Sequence, residues 1–431
     1  MARSLKQQAM ILTLGNGLTR GLGFALHLIF ARLMGAEALG VMEMAHSVGM
    51  LALTPVTAGT CAAMSRVTAR HPAVDQPNVL RAGLRLNRRI ALITMPLLLV
   101  CAPLLAWLLG DARTLPAILA GIPAVWLLGQ CSVYGGYCCG RQDTLTPALN
   151  ECAEQTVRFL LSAALLWWLG RRSVALSAAL PEAAEFAAAF LAWFMLRRAV
   201  RLPRSLARPS PALMKELFRL SAPMAVSRLC LTGMRTLNAV LLPLCLRRSG
   251  LSGSAAAAQF GLLNGMAMPL MMLPGIVTGA VCTVATPAVS RLERQPRRLR
   301  RVMGRLLLAA AGIGGAASAA LWLGAEVISL RLYSQSALTA LVRFLCPMAL
   351  LLSLQQVTGG IIAGLGLQRQ SLTGTIVSSA VTLMLTALLS PLSGLRLFGA
   401  AMASLAGQSV ALVWNGGVLL RRLRALSEEE K

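Results

Sequence analysis

Residues 135–146 read GGYCCGRQDTLT, and residues 359–373 read GGIIAGLGLQRQSLT. Each stretch closes an apolar run with a glycine pair and sets a third glycine four residues after the second. Each then carries Arg-Gln and enters the next apolar run through Leu-Thr. A looser correspondence supports the same division: Arg20 precedes Arg32 by the 12 residues that separate Arg235 from Arg247. Matching positions lie 215–224 residues apart, about half of the 431-residue chain. The chain therefore reads as two like-oriented halves, and internal repeats of this kind are common among transporters.

Composition says what surrounds the halves. The chain is 56% hydrophobic and 13% charged, against about 25% charged in an ordinary soluble domain. A water-soluble enzyme is excluded. A net charge of +26 would suggest nucleic acid in a soluble protein, but here the aromatic content is 5% and the basic residues lie between long apolar runs. No nucleic-acid partner is expected. Ten cysteines occur, most inside apolar runs and none in a CxxC pair, and only three histidines are present. Neither a disulfide framework nor a metal centre is expected, and no cofactor. Walker A, HExxH and GxSxG sequences are all missing, so the chain reads as neither an ATP-driven pump nor an enzyme.

A spanning helix needs about 20 mostly apolar residues. Twelve candidates run roughly over 9–34, 39–64, 89–109, 115–138, 149–169, 183–200, 217–246, 257–285, 303–323, 338–363, 371–392 and 397–420. The first is too long for a signal-peptide core and is read as a permanent helix. The amino terminus, the loops after even-numbered spans and the tail together hold 28 Lys and Arg, against nine in the opposite loops. By the positive-inside rule both termini are cytoplasmic. The short arginine-rich loops serve topology first and anionic membrane lipids second. The expected divisions are a bundle at 1–204, a second at 205–420 and a cytoplasmic tail at 421–431.

Four arginines fall inside spans. A charge at mid-membrane costs about 2.5–3.5 kcal/mol on insertion scales, so each needs a reason. Arg20 shares a helical face with Thr13, Asn16 and His27. Arg228 and Arg235 lie seven apart, with Thr232 and Asn238 on a similar stripe. Arg158 follows Glu154 by four and Glu151 by seven, and pairing with Glu154 would account for it. Glu43 reads as the single clearly intramembrane acid. Arg20, Arg228 and Arg235 outnumber the available acids, which points to an anionic ligand; arginine's planar fork suits phosphate and keeps its charge. Glycines 15, 17, 21 and 23 around Arg20, with Pro55, Pro269 and Pro274, fit helices that bend or pack closely.

Three segments carry a family resemblance. FARLMGAEALGV at 30–41, YGGYCCGRQDTLTPALNECAEQTVR at 134–158 and QFGLLNGMAMPLMMLPGIVTGAVCTVATPAVS at 259–290 resemble the multidrug/oligosaccharidyl-lipid/polysaccharide (MOP) exporter superfamily, in its stage V sporulation protein B and polysaccharide biosynthesis branch. The resemblance runs through the whole chain in the family's order. It implies an all-α integral membrane fold of two six-helix bundles in the V shape of multidrug and toxin extrusion (MATE) proteins, alternating between inward- and outward-facing states. It also implies transport of lipid-diphosphate-linked sugars, with Arg20 matching a cavity arginine of lipid II flippases and Arg228 and Arg235 matching by position. That branch often has fourteen spans; this chain reads as twelve, the number typical of its drug-exporting relatives.

The expected function is therefore a multi-pass flippase of the cell membrane for a lipid-linked oligosaccharide used in wall, spore-cortex or surface-polysaccharide assembly. Arg20, Arg228, Arg235, Asn16, Asn238 and Arg158 are the expected substrate contacts, and Glu43 the site of a coupling cation. The rival readings are a cation-coupled drug exporter of the same fold, favoured by an acidic cavity, and a non-transporting scaffold for wall synthesis, which has no use for a charged interior.

Overall fold

The computed structural model describes residues 5–170, 172–200, 210–293 and 295–429. All regular structure there is helical: α1 (Leu5–Thr57), α2 (Thr60–Arg70), α3 (Gln76–Leu108), α4 (Leu115–Gly140), α5 (Leu145–Leu169), α6 (Val174–Ala199), α7 (Pro211–Arg248), α8 (Gly253–Phe260), α9 (Met268–Met272), α10 (Gly275–Arg291), α11 (Pro296–Val327), α12 (Ala337–Leu345), α13 (Pro347–Gly364), α14 (Gln368–Leu389) and α15 (Arg396–Glu429). Two compact units divide the chain within α7, Met1–Val240 and Leu241–Lys431.

Among the described residues nine helices are long and apolar enough to cross a membrane, or ten when the bent pair Gly253–Met272 and Gly275–Arg291 counts as one span. Two further stretches expected from the sequence lie elsewhere in the helices. One is the part of α1 beyond Gly35, where the chain reverses. The other is α5, whose Glu154, Gln155 and Arg158 lower its hydropathy. The reversal at Gly35 follows from its backbone, φ 73° and ψ 175°, and from a side-chain contact. His27 and Glu43 lie eight residues either side of it and meet at 3.6 Å; along an unbroken helix they would be roughly 24 Å apart. The apolar surface is turned outward as a bilayer requires, with Val100, Trp167, Trp168 and Val413 all more than 70% exposed.

The repeated glycines do the same work in both units. A Cβ on Gly136 would lie 2.5 Å from the Cys61 carbonyl oxygen, and one on Gly140 2.7 Å from that of Ser65, so α4 and α2 touch backbone to backbone. In the second unit a Cβ on Gly360 would lie 2.9 Å from Cys282 Sγ, and one on Gly364 2.7 Å from the Thr286 carbonyl oxygen, so α13 and α10 do likewise. Small residues permit this approach, the main source of helix association where lipid removes the hydrophobic drive. The turns that follow match as well: Gln142 and Gly366, 224 residues apart, both have positive φ.

The partner helix in each unit is broken at the corresponding place. In the first unit α1 ends at Thr57 and α2 starts at Thr60, across Gly59 with φ 77°. In the second, α9 ends at Met272 and α10 starts at Gly275, with a 48° bend. A break frees backbone groups that the bilayer cannot satisfy. In the first unit buried Asn87 donates to the freed Val56 carbonyl at 2.7 Å, and buried Gln130 donates to Asn87 Oδ1 at 3.0 Å.

Gly136→Ala and Gly364→Ala, each driven into backbone, should destabilise by roughly 1–3 kcal/mol. Gly135→Ala and Gly359→Ala, whose Cβ atoms meet nothing closer than 3.9 Å, should leave the melting temperature in detergent unchanged. Equal melting of all four variants would refute the seam.

Candidate functional site

The polar side chains of the first unit converge on one interior cluster. His27 and Glu43 approach across the Gly35 reversal at 3.6 Å. One turn past Glu43, His46 Nδ1 lies 3.0 Å from Glu182 Oε1 on α6. Arg158 Nη2 on α5 lies 3.5 Å from Glu185 Oε2, one turn along α6 from Glu182. Arg158 and Glu185 retain only 19% and 11% side-chain exposure, so the cluster is an interior one. Glu154 stands one turn from Arg158 on the same face of α5.

Two sequence expectations are corrected here. Arg158 is paired with Glu185; its electrostatic neighbours include Glu182, Glu154 and Glu43 after Glu185. Glu43 is also not the single intramembrane acid, because Glu182 and Glu185 lie buried inside α6. The sixth span was expected to start at 183, beyond Pro181. The helix starts at Val174, capped by Ser173 Oγ accepting from the Leu176 N–H at 3.2 Å. Pro181 is accommodated eight residues in. The Ser173 cap and the ExxE spacing of Glu182 and Glu185 were the available signals.

The expected anion-binding arginines are placed differently. Arg20, Arg228 and Arg235 all present exposed side chains, although each lies well inside a long helix. Arg228 and Arg235 share one stripe of α7 and belong to the same compact unit as Arg20. Beside that stripe, Thr232 Oγ1 lies 3.1 Å from Thr54 Oγ1, and Thr236 Oγ1 donates to the Ser47 carbonyl at 2.9 Å, so this part of α7 is seated along α1. Asn238 is half-buried, and its Oδ1 has no hydrogen-bond partner. Asn16 lies in α1, but its side chain is outside the described residues.

The register of α1 against α5 relates the two sets. A Cβ on Gly15 would lie 3.5 Å from Ala148 Cβ, and the two helices run the same way, four reversals apart. Counting up from that contact sets Arg20 level with residue 153, beside Glu154, and His27 level with residue 160, about half a turn beyond Arg158. The arginine face of α1 thus leads directly into the acid cluster.

Comparison with known proteins assigns the family. Residues 5–293 match the polysaccharide biosynthesis protein family. The chain belongs to that family. It is 27% identical over 418 residues to stage V sporulation protein B of Bacillus subtilis (strain 168), covering 92% of this chain and 80% of that one. Solved structures share the fold. One is an inward-facing multidrug resistance MATE family transporter of the MOP superfamily, with a TM-score of 0.78 at 17% identity over 97% of this chain and 99% of that one. Another is a MOP superfamily transporter from Pyrococcus furiosus, with a TM-score of 0.69 at 17% identity over 99% and 97%, respectively. The fold is the one seen in those solved transporters, and the apolar helices make the chain a multi-pass membrane protein.

Removing one partner of a buried ion pair leaves an uncompensated charge, at a cost of roughly 3–5 kcal/mol. Arg158→Leu should therefore melt well below the wild type in detergent, and Arg158→Leu with Glu185→Gln should recover much of the loss. A double variant no more stable than the single one would show that the pair does not hold the cluster.

Proposed function

We propose that the chain is a flippase that carries a lipid-diphosphate-linked saccharide outward across the cell membrane for wall, spore-cortex or surface-polysaccharide assembly. The observation that carries this reading is the exposure of Arg20, Arg228 and Arg235 on α1 and α7, in a unit whose interior acids Glu43, Glu182 and Glu185 lie against His27, His46 and Arg158. Guanidinium groups in such a setting suit a diphosphate, which each can grip with two parallel hydrogen bonds. Asn238, through its unpartnered Oδ1, and Asn16 would meet saccharide hydroxyls, and Arg158 would join from α5 through its unpartnered Nε. The polyprenyl tail would stay in the bilayer. Family membership and the likeness to stage V sporulation protein B favour a saccharide cargo. The P. furiosus transporter of the same fold has a binding pocket of reversed polarity, taken to suggest a different function; pocket polarity is the relevant discriminator here too.

The acid cluster is the observation that favours the rival reading, a cation-coupled exporter of the same fold. Glu182 and Glu185 in that cluster are engaged with His46 and Arg158, and three arginines stand exposed, which weighs toward an anionic cargo. Convergence of His27, Glu43, His46, Arg158, Glu182 and Glu185 inside the first unit supports a charged interior, for which a scaffold has no need. Glu43, on the face of α1 turned to His27, is the proposed contact of a coupling cation.

A charge-assisted hydrogen bond contributes about 1.5–3 kcal/mol, on the order of ten- to a hundred-fold in affinity. Arg20→Ala should abolish complementation of a flippase-deficient strain and translocation of lipid II in proteoliposomes, with Arg20→Lys intermediate because it keeps the charge and loses the fork. Arg235→Ala should behave like Arg20→Ala. Wild-type transport per folded molecule in both alanine variants would reject the substrate site. Glu43→Gln should remove the dependence of transport on a proton or sodium gradient while expression stays normal; an unaltered ion dependence would discard Glu43 as the coupling group.

A further inference from the structure

His46, Glu182 and Glu185 each bring a ligand atom within 4.8 Å of the other two. Two of them stand at i and i+3 on α6, and the third comes from α1, so the donors converge from two helices. We propose that these three residues form a site for a divalent metal cation of the zinc or manganese class.

Four observations support the assignment. The donor set is one imidazole and two carboxylates; imidazole suits zinc and its neighbours, whereas magnesium and calcium prefer oxygen alone. The Glu182 carboxylate is held closely from the α4 side: the helix passes it with a glycine, and a Cβ on Gly121 would lie 3.0 Å from Glu182 Oε2. A polar group aimed at the cluster has no partner. Ser162 is fully buried, and its Oγ makes no hydrogen bond. It stands one turn from Arg158 on the same face of α5; since α5 and α6 run antiparallel and Arg158 meets Glu185, Ser162 comes level with Glu182.

Charge supplies the fourth. The groups facing the cluster are His27, Glu43 and His46 from α1, Glu154 and Arg158 from α5, and Glu182 and Glu185 from α6; α4 contributes only Gly121. Four carboxylates there face one guanidinium and two imidazoles in a low-dielectric interior, where unpaired negative charge is costly, and a divalent ion between Glu182 and Glu185 offsets part of it. Arg158 does not block it, because Glu154 on its own helix stands ready to receive the guanidinium when Glu185 turns to the metal.

This inference does not depend on the transport proposal, and its test uses no transport. The full-length protein in detergent is stripped with a chelator, dialysed and titrated calorimetrically with Mn2+ and Zn2+; Co2+ serves as an optical probe. The expected result is one ion per chain, with His46→Gln and Glu182→Gln each weakening binding at least tenfold while Glu326→Gln, on exposed α11 surface, leaves it unchanged. The Co2+ spectrum of the wild type should show nitrogen and oxygen coordination without the thiolate charge-transfer absorption that the ten free cysteines would produce. That spectrum decides the matter if the variants fail to fold. Three results would overturn the proposal: no saturable binding, binding of equal strength in folded His46→Gln and Glu182→Gln, or proton uptake on acidification with no metal uptake.

Discussion

The interior of the first unit holds the carboxylates of Glu43, Glu182 and Glu185 with little access to water. Born costs for ions moved into such surroundings run to several kcal/mol each even after relaxation, so the helices are constrained to deliver a partner to each of the three. The reversal at Gly35 brings His27 to Glu43. The continuation of α1 brings His46 to Glu182, and α5 brings Arg158 to Glu185. Three helices are thus held in mutual register by charge, in a setting where apolar contact alone would not distinguish one rotation of a helix from another.

A different constraint sets the helix seams. Lipid offers no hydrophobic reward for packing two apolar helices together, so close approach must come from shape. Gly136 and Gly140 provide it against α2, and Gly360 and Gly364 against α10. In both units the partner is a helix that has just been broken, at Gly59 in one and at Pro274–Gly275 in the other. The seam and the break belong together. A straight helix passing that point could not lay its backbone against a glycine face of the neighbouring helix and still follow the rest of the bundle.

These features were unequally legible in the sequence. The glycine spacing of the repeat is a backbone requirement, and it survives as a pattern because no other residue satisfies it. Likewise the apolar stretches announce themselves by length. The acid cluster was half visible. Glu43 and Arg158 stand in unmistakable spans, but Glu182 and Glu185 sit around Pro181 in an alanine-rich run, and a proline reads as a boundary when nothing shows that the helix began at Val174. Arg158's partner was misread for a physical reason: the i, i+4 neighbour Glu154 is close along one helix, but two helices meeting face to face can bring Glu185 closer. Sequence spacing reports neighbours on one helix and is silent about those across a seam.

The acid cluster and the arginine stripe also bear on each other energetically. Arg20 and His27 share a face of α1 seven residues apart, roughly 10 Å along the axis. At that separation two unit charges interact by about 1.7 kcal/mol for an effective dielectric constant of 20. A diphosphate held at Arg20 would therefore feel each uncompensated carboxylate of the cluster as a repulsion large enough to change its affinity more than tenfold. A cation placed among His46, Glu182 and Glu185 removes that repulsion. Because coupling between two binding equilibria is reciprocal, an anion bound at Arg20 must in turn strengthen the hold on the cation. Opposite charges collected at neighbouring levels of one helix face thus provide a way for cation and cargo to bind together and leave together, without any contact between them.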